Sequence, residues 1–195
     1  NSTARFTVTQ DSDSPDEFGA SMKIDCTTTD TSLASTDEVY LEQRIEGQDL
    51  QHFAKGTSSA KQYTLSFYAK TTKTGTYIVN LLGRDNTTSS VSAAYTVSDT
   101  NWNRYVITFP ADTNSGRKDD NDNGEALRVQ WWFVAGSAVN SGTLNTSWAN
   151  SSDTGRATGQ VNFSDSTSND FYLTGCQLEA GPQVTAYEHR SFAEE

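Results

Sequence analysis

Apolar residues recur at every second position along most of this 195-residue chain, and that rhythm constrains the fold more than any other feature. Met22, Ile24 and Cys26 fall on one side of a run whose other side carries Lys23 and Asp25. Tyr63, Leu65, Phe67 and Ala69 oppose Thr64, Ser66, Tyr68 and Lys70 in the same way. The pattern returns at Tyr77–Leu81, Ala93–Val97, Tyr105–Phe109 and Leu127–Phe133, and last at Tyr172, Thr174, Cys176 and Leu178. Successive side chains of a strand point to opposite faces, so a period of two specifies half-buried β-strands. The runs are rich in β-branched and aromatic residues and end at turn-forming types: Thr74-Gly75, Asp85-Asn86 and Pro110.

Only Ser35 to Phe53 hints at a helical period, and Val39, Leu41 and Ile45 also fit alternation, so Val39–Glu46 reads as a strand. Parallel sheets need crossovers of a dozen or more residues, usually helical, which this chain does not offer. The expectation is an all-β, antiparallel two-sheet jelly-roll β-sandwich, one domain over residues 1–195, with roughly eight to eleven strands. Two polar stretches, Ala111–Glu125 and Gly136–Gly159, read as long loops. Trp148 inside the second argues that it is ordered, because a solvated linker rarely keeps a large aromatic.

Composition narrows the function. The net charge is −11, which repels phosphate and argues against nucleic acid as a partner. No apolar run is long enough to span a bilayer, and Asn1–Gln10 lacks the pattern of a signal peptide. Catalytic groups are sparse: His52 and His189 come without a G-x-S-x-G elbow, and no two of the acidic residues are singled out as a glycosidase pair. The chain reads as a non-enzyme.

If Leu127, Val129, Trp131 and Phe133 face the core, then Arg128, Gln130 and Trp132 face outward. An outward indole beside an arginine and an amide suits a sugar, the ring meeting pyranose C–H groups and the polar neighbours its hydroxyls. Tyr68 with Ser66 and Lys70, and Tyr40 with Glu42 and Arg44, repeat that composition. The ligand-binding candidates are therefore Trp132, Arg128, Gln130, Tyr68, Tyr40 and Arg44. The competing reading buries Trp132 under a loop or in a subunit contact, since interfaces also select aromatics and arginine. Asp119, Asn121, Asn123 and Gly124 match the first half of a calcium loop, with Glu125 as a further oxygen donor, but its twelfth position is Gln130. A structural calcium is thus an option and no cofactor is required. Cys26 and Cys176 allow either a disulfide or two buried thiols.

Three stretches carry a family resemblance: Gly56–Lys70, Trp102–Pro110, and Gly175-Cys176-Gln177-Leu178-Glu179-Ala180-Gly181 with Ala186–Phe192. Together they resemble a module common in tailed-phage fibre and virion proteins, itself similar to the jelly-roll carbohydrate-binding modules of glycoside hydrolases. Two positions depart from it: Lys55 and Tyr68 stand where that family often has tryptophan. The resemblance implies a non-catalytic virion or extracellular module that touches a cell-surface glycan of the host. It also implies other virion proteins as partners, a possible homotrimer, and no membrane insertion. The alternative within the same resemblance is a structural decoration or fibre-assembly module whose aromatics form an oligomer interface; a depolymerase ranks last.

Overall fold

The structure, a computed structural model, describes residues 3–150 and 153–189; Arg190, Ser191 and Phe192 of the resemblance lie outside the described residues. Among the described residues, ten strands run in chain order: β1 (Arg5–Asp11), β2 (Ser21–Thr28), β3 (Glu38–Glu46), β4 (Tyr63–Thr71), β5 (Gly75–Gly83), β6 (Ser89–Val97), β7 (Asn103–Phe109), β8 (Glu125–Ala135), β9 (Ala149–Asn150) and β10 (Asp170–Ala180). They form two five-stranded sheets, a first ordered β1-β2-β10-β4-β7 and a second ordered β3-β8-β5-β6-β9. All pairings among the described residues are antiparallel. From β2 the chain passes to the other sheet at most connections, with the β5–β6 hairpin and the β8–β9 connection staying within the second sheet. That is a jelly roll, to which β1 and the two-residue β9 add outer edges.

The alternation read from the sequence sets what lies between the sheets. Tyr63, Leu65, Phe67 and Ala69 of β4 meet Tyr77, Val79 and Leu81 of β5 and Leu127, Val129, Trp131 and Phe133 of β8 in one continuous buried cluster. Fully burying one such aliphatic or phenyl side chain contributes about 1.5–3 kcal/mol. Rings dominate the centre: Phe53 stacks on Tyr63 at 4.1 Å, and Phe67 meets Tyr95 and Trp131 edge-on at 5.2 and 5.9 Å.

The last strand departs from the expected face. Phe171 and Leu173, not Tyr172 and Thr174, are buried in the core. The β10–β4 register then shifts between Thr174 and Gln177, and Leu178 packs against the core beyond the shift. Gly175 sits at that bulge with φ +59°. A bulge inserts one residue and exchanges the two faces, so alternation extrapolated from Leu178 backwards is out of step by one.

Candidate functional site

On the outer face of the second sheet, β3 and β8 place Tyr40 beside Trp132, Glu42 opposite Gln130 and Arg44 opposite Arg128. Five of the six ligand-binding candidates, Tyr40, Arg44, Arg128, Gln130 and Trp132, therefore lie together. The expected open platform is not there. Trp132 is only 1% exposed, packed with Ile78, Ala135, Val139 and Ala157. Described residues on both sides of 151–152 in the Gly136–Gly159 segment fold back over this face: the Ala157 N–H donates to the Val139 carbonyl and the Ser92 N–H to the Asn145 carbonyl.

Arg156 from that segment covers the Trp132 ring at 5.2 Å and donates to Gln130 Oε1 at 2.7 Å. Gln130 Nε2 donates in turn to Glu42 at 2.7 Å. The indole ring is covered and the Gln130 amide is hydrogen-bonded within the protein, in line with the competing loop-burial reading. What remains open is a charged strip. Arg128 donates to both oxygens of Glu125, at 2.6 and 3.2 Å, while Arg44 pairs with Glu42 and Glu125 and Arg84 with Glu125. Burial pushes Glu42 up, but bonds from Arg44 and Gln130 and the charge of Arg128 outweigh it and hold the carboxyl below its ordinary value.

Tyr68, the sixth candidate, points outward from β4 in the first sheet, on the opposite side of the sandwich. There it joins residues that sequence reasoning missed. Tyr172 of β10 is paired in register with Lys23 on one neighbour and Lys70 on the other, and both ammonium groups sit near its ring, at 5.7 and 5.5 Å from the centroid. Trp102, just before β7, meets Tyr172 edge-on at 6.2 Å. Its Nε1 donates to Asp13 at 2.8 Å, and Lys70 donates to the other oxygen of Asp13 at 2.6 Å. Those two donors hold the Asp13 carboxyl below the usual carboxylate range. Lys23 pairs with Asp170 at 3.0 Å, and that bond raises the lysine.

Along the same face, Phe18 packs on Tyr68, Tyr187 and His189 at 5.2, 5.0 and 5.1 Å, with the Arg104 guanidinium 5.8 Å from the Tyr68 ring. Gly175 makes the packing possible, because a Cβ there would lie 2.6 Å from Phe18 and 3.0 Å from Tyr68. Gln177 and Glu179 fix the segment that carries Tyr187. Glu179 accepts from the Thr185 hydroxyl at 2.7 Å, and Gln177 accepts from the Glu188 N–H at 2.9 Å. Trp102, Tyr172, Phe18 and Tyr187 are half-buried, neither sealed in the core nor fully solvated. Phe18 and Trp102 lie outside strands, so alternation carries no signal for them; Tyr172 was legible once the β10 bulge is allowed for.

The calcium-loop residues do not form a nest of free oxygens. Asp119 is buried and accepts from the buried Lys55 ammonium at 2.9 Å, Asn121 and Asn123 are exposed in the turn, and Glu125 serves the arginines. Among the described residues, no group of three or more His, Cys, Asp and Glu is arranged to hold a metal ion. Cys26 and Cys176 are both free thiols, so the disulfide option does not hold. His52 packs tilted against Phe53 at 4.5 Å, and His189 packs tilted against Phe18 and edge-on to Tyr187. Neither is placed against a nucleophile by these contacts.

Fold and surface together define a jelly-roll sandwich with one outer face sealed by a loop and the other lined with half-exposed rings and charges. No family model and no curated protein matches the chain. Among solved structures, it is similar to a family 11 carbohydrate-binding module of the cellulosomal cellulase Lic26A-Cel5E of Clostridium thermocellum, with 10% identity, TM-score 0.47, and coverage of 96% of this chain and 88% of that one. It is also similar to a putative sugar binding protein from Bacteroides thetaiotaomicron, with 14% identity, TM-score 0.44, and coverage of 90% and 82%. A third similar structure is the enzymatically active domain of bacteriophage CBA120 tailspike protein 4, with 12% identity and TM-score 0.45; 90% of this chain corresponds to 18% of that one.

Proposed function

We propose that this chain is a non-catalytic carbohydrate-binding module whose glycan lies across the outer face of the first sheet. The carrying observation is the Trp102–Tyr172 pair bordered by Lys23, Lys70, Asp13 and Asp170. Two rings supply the flat apolar surfaces that pyranose C–H groups need, and the flanking charges supply donors and acceptors for hydroxyls. The reading moves the site away from Trp132 and keeps Tyr68 at its margin. The three stretches that resemble the phage virion module meet on this face through Tyr68, Trp102, Arg104, Gly175 and Tyr187, which supports a host-glycan role in a virion appendage working outside the cell.

A glycan array of bacterial surface polysaccharides tests the proposal, with Tyr172→Ala as the probe and Trp132→Phe as the control on the sealed face. Loss of binding in Tyr172→Ala alone supports it; wild-type protein that binds no polysaccharide overturns it.

A second reading has its own observation. Val106 and Val184 are 48% and 38% exposed; Val106 points outward beside Ser66 on this face, and Val184 precedes the Thr185 held there. An apolar margin of that kind suits a contact with another virion protein or a second and third copy of the chain. Sedimentation that gives a trimer, dissociated by Val106→Glu, would assign the face to assembly.

A further inference from the structure

Lys55 sits where a lysine is rarely found. Its side chain is 0% exposed, and its ammonium donates at 2.9 Å to Asp119, itself 4% exposed and 64 positions away in the sequence. Two loops converge to build the pair. Gly56, at φ +76°, lets the first loop pass against the second, since a Cβ there would lie 2.6 Å from the Lys118 Cα, and its N–H donates to the Asp112 carbonyl at 2.7 Å. Gly83, at the end of β5, leaves room for the ammonium: a Cβ there would lie 2.6 Å from Nζ. The Trp148 ring lies 5.2 Å from Nζ and 5.8 Å from the Tyr63 ring, which stacks on Phe53.

The surroundings of the pair are acidic. Asp85 and Asp112 stand near enough to act on Asp119 through their charges. Asp112 turns one oxygen to Arg117 at 3.4 Å, and its other oxygen, buried, has no partner among the described residues. Burial and the two neighbouring carboxylates push the Asp119 carboxyl up, against the pull of Lys55. A carboxyl held high accepts a proton readily, and the donor in contact with it is the Lys55 ammonium. Two buried charges carry a desolvation cost that their attraction does not always offset. Passing one proton along the 2.9 Å bond leaves an amine beside a carboxylic acid, held in place without solvent. Fixed proximity of that kind replaces the effect of a high reactant concentration.

We propose that Lys55 and Asp119 condense into an intramolecular isopeptide bond that staples the two loops together. The Nζ lone pair attacks Asp119 Cγ and forms the N–C bond; the C–OH bond breaks, and the hydroxyl leaves as water with a proton taken from Nζ. The product is a neutral secondary amide, and no oxidant, reductant or cofactor takes part. The ion pair is the state of the freshly folded chain, and the bond accumulates as the protein ages, because the amine is free only after the proton has moved. A cross-link of this span restricts the unfolded chain, so the aged protein unfolds at a higher urea concentration than the fresh one.

Intact mass spectrometry of the full chain, aged for a week at neutral pH and measured beside a fresh sample, tests this. The aged protein should lose the mass of one water. Its tryptic digest, made after unfolding, should contain a branched peptide joining Lys55 to Asp119, with no cleavage after Lys55. Lys55→Arg keeps a cation beside Asp119 and should hold its full mass over the same period. A folded wild-type protein whose mass does not change overturns the proposal. So does a loss of water that persists in Lys55→Arg, which would assign it to cyclisation of an aspartate on its own backbone.

Discussion

Arg156 lies over the indole of Trp132, 5.2 Å from the ring centroid, and holds Gln130 at 2.7 Å. One arginine from a loop of Ser, Thr, Asn and Gly thus closes a face that the strand pattern leaves open. The contact behaves as part of a second, smaller core.

Trp132→Ala should therefore act through stability. Truncating a buried large aromatic costs about 3–5 kcal/mol, which for a chain of this size lowers the melting temperature by roughly 2–4 °C per kcal/mol. Calorimetry measures it, and the glycan affinity of the protein that stays folded should equal that of wild type.

Lys55 and Asp119 form a second buried unit, with side chains 0% and 4% exposed and the ammonium 5.2 Å from the Trp148 ring. Lys55→Met leaves the Asp119 carboxylate without its cation and should destabilise by about 3–5 kcal/mol. The double change Lys55→Met with Asp119→Leu should recover most of that loss in urea unfolding. Equal midpoints for the single and double variants would show that the pair is not coupled.

Glu42 gives a pH signature. Its carboxyl is held below its ordinary value of 4.5 in the folded chain, so as pH falls the unfolded chain takes up the proton first. Its stabilising contribution is complete above about pH 5 and is lost as pH falls from 4.5 through the lower folded value. The stability gap between wild type and Glu42→Gln should thus be constant at neutral pH and narrow below pH 4.5, measured as the difference in urea midpoints. A gap that widens on acidification would contradict the assignment.

Gly175 bears on the glycan face. Gly175→Ala places a Cβ against Phe18 at a positive φ, a backbone cost of roughly 1–2 kcal/mol before any clash. Displacing Phe18 should loosen Tyr68 and Tyr187 together, visible as shifted ring signals of both tyrosines with the core signals unchanged.

Period two located seven strands, and the β3 reading of Val39–Glu46 agrees with the observed Glu38–Glu46. It did not reveal β1, an edge strand with mostly exposed residues and therefore little hydrophobic contrast. At Leu127–Phe133 alternation separated the two faces correctly, but what covers a face is a tertiary fact. Arg156, Val139 and Ala157 are spread along a polar loop with no period of their own. The other face was still harder to see, because Phe18, Tyr68, Trp102, Tyr172 and Tyr187 are brought together only by sheet pairing and three excursions outside the strands. Trp148 is the instructive success: a lone aromatic in a polar stretch announced order, and its Nε1 donates to the Pro110 carbonyl at 2.8 Å.

The place of β10 governs how such a chain must be made. It fills the slot between β2 and β4, so a nascent chain emerging from the ribosome holds both of those edges bare until Asp170–Ala180 has been synthesised, about 100 residues after β4. Unpaired edges recruit other strands, and late, sequence-distant closure is slow. Cells producing this protein in quantity would therefore face the danger of neighbouring chains zipping together during translation, before β10 arrives to seal each one.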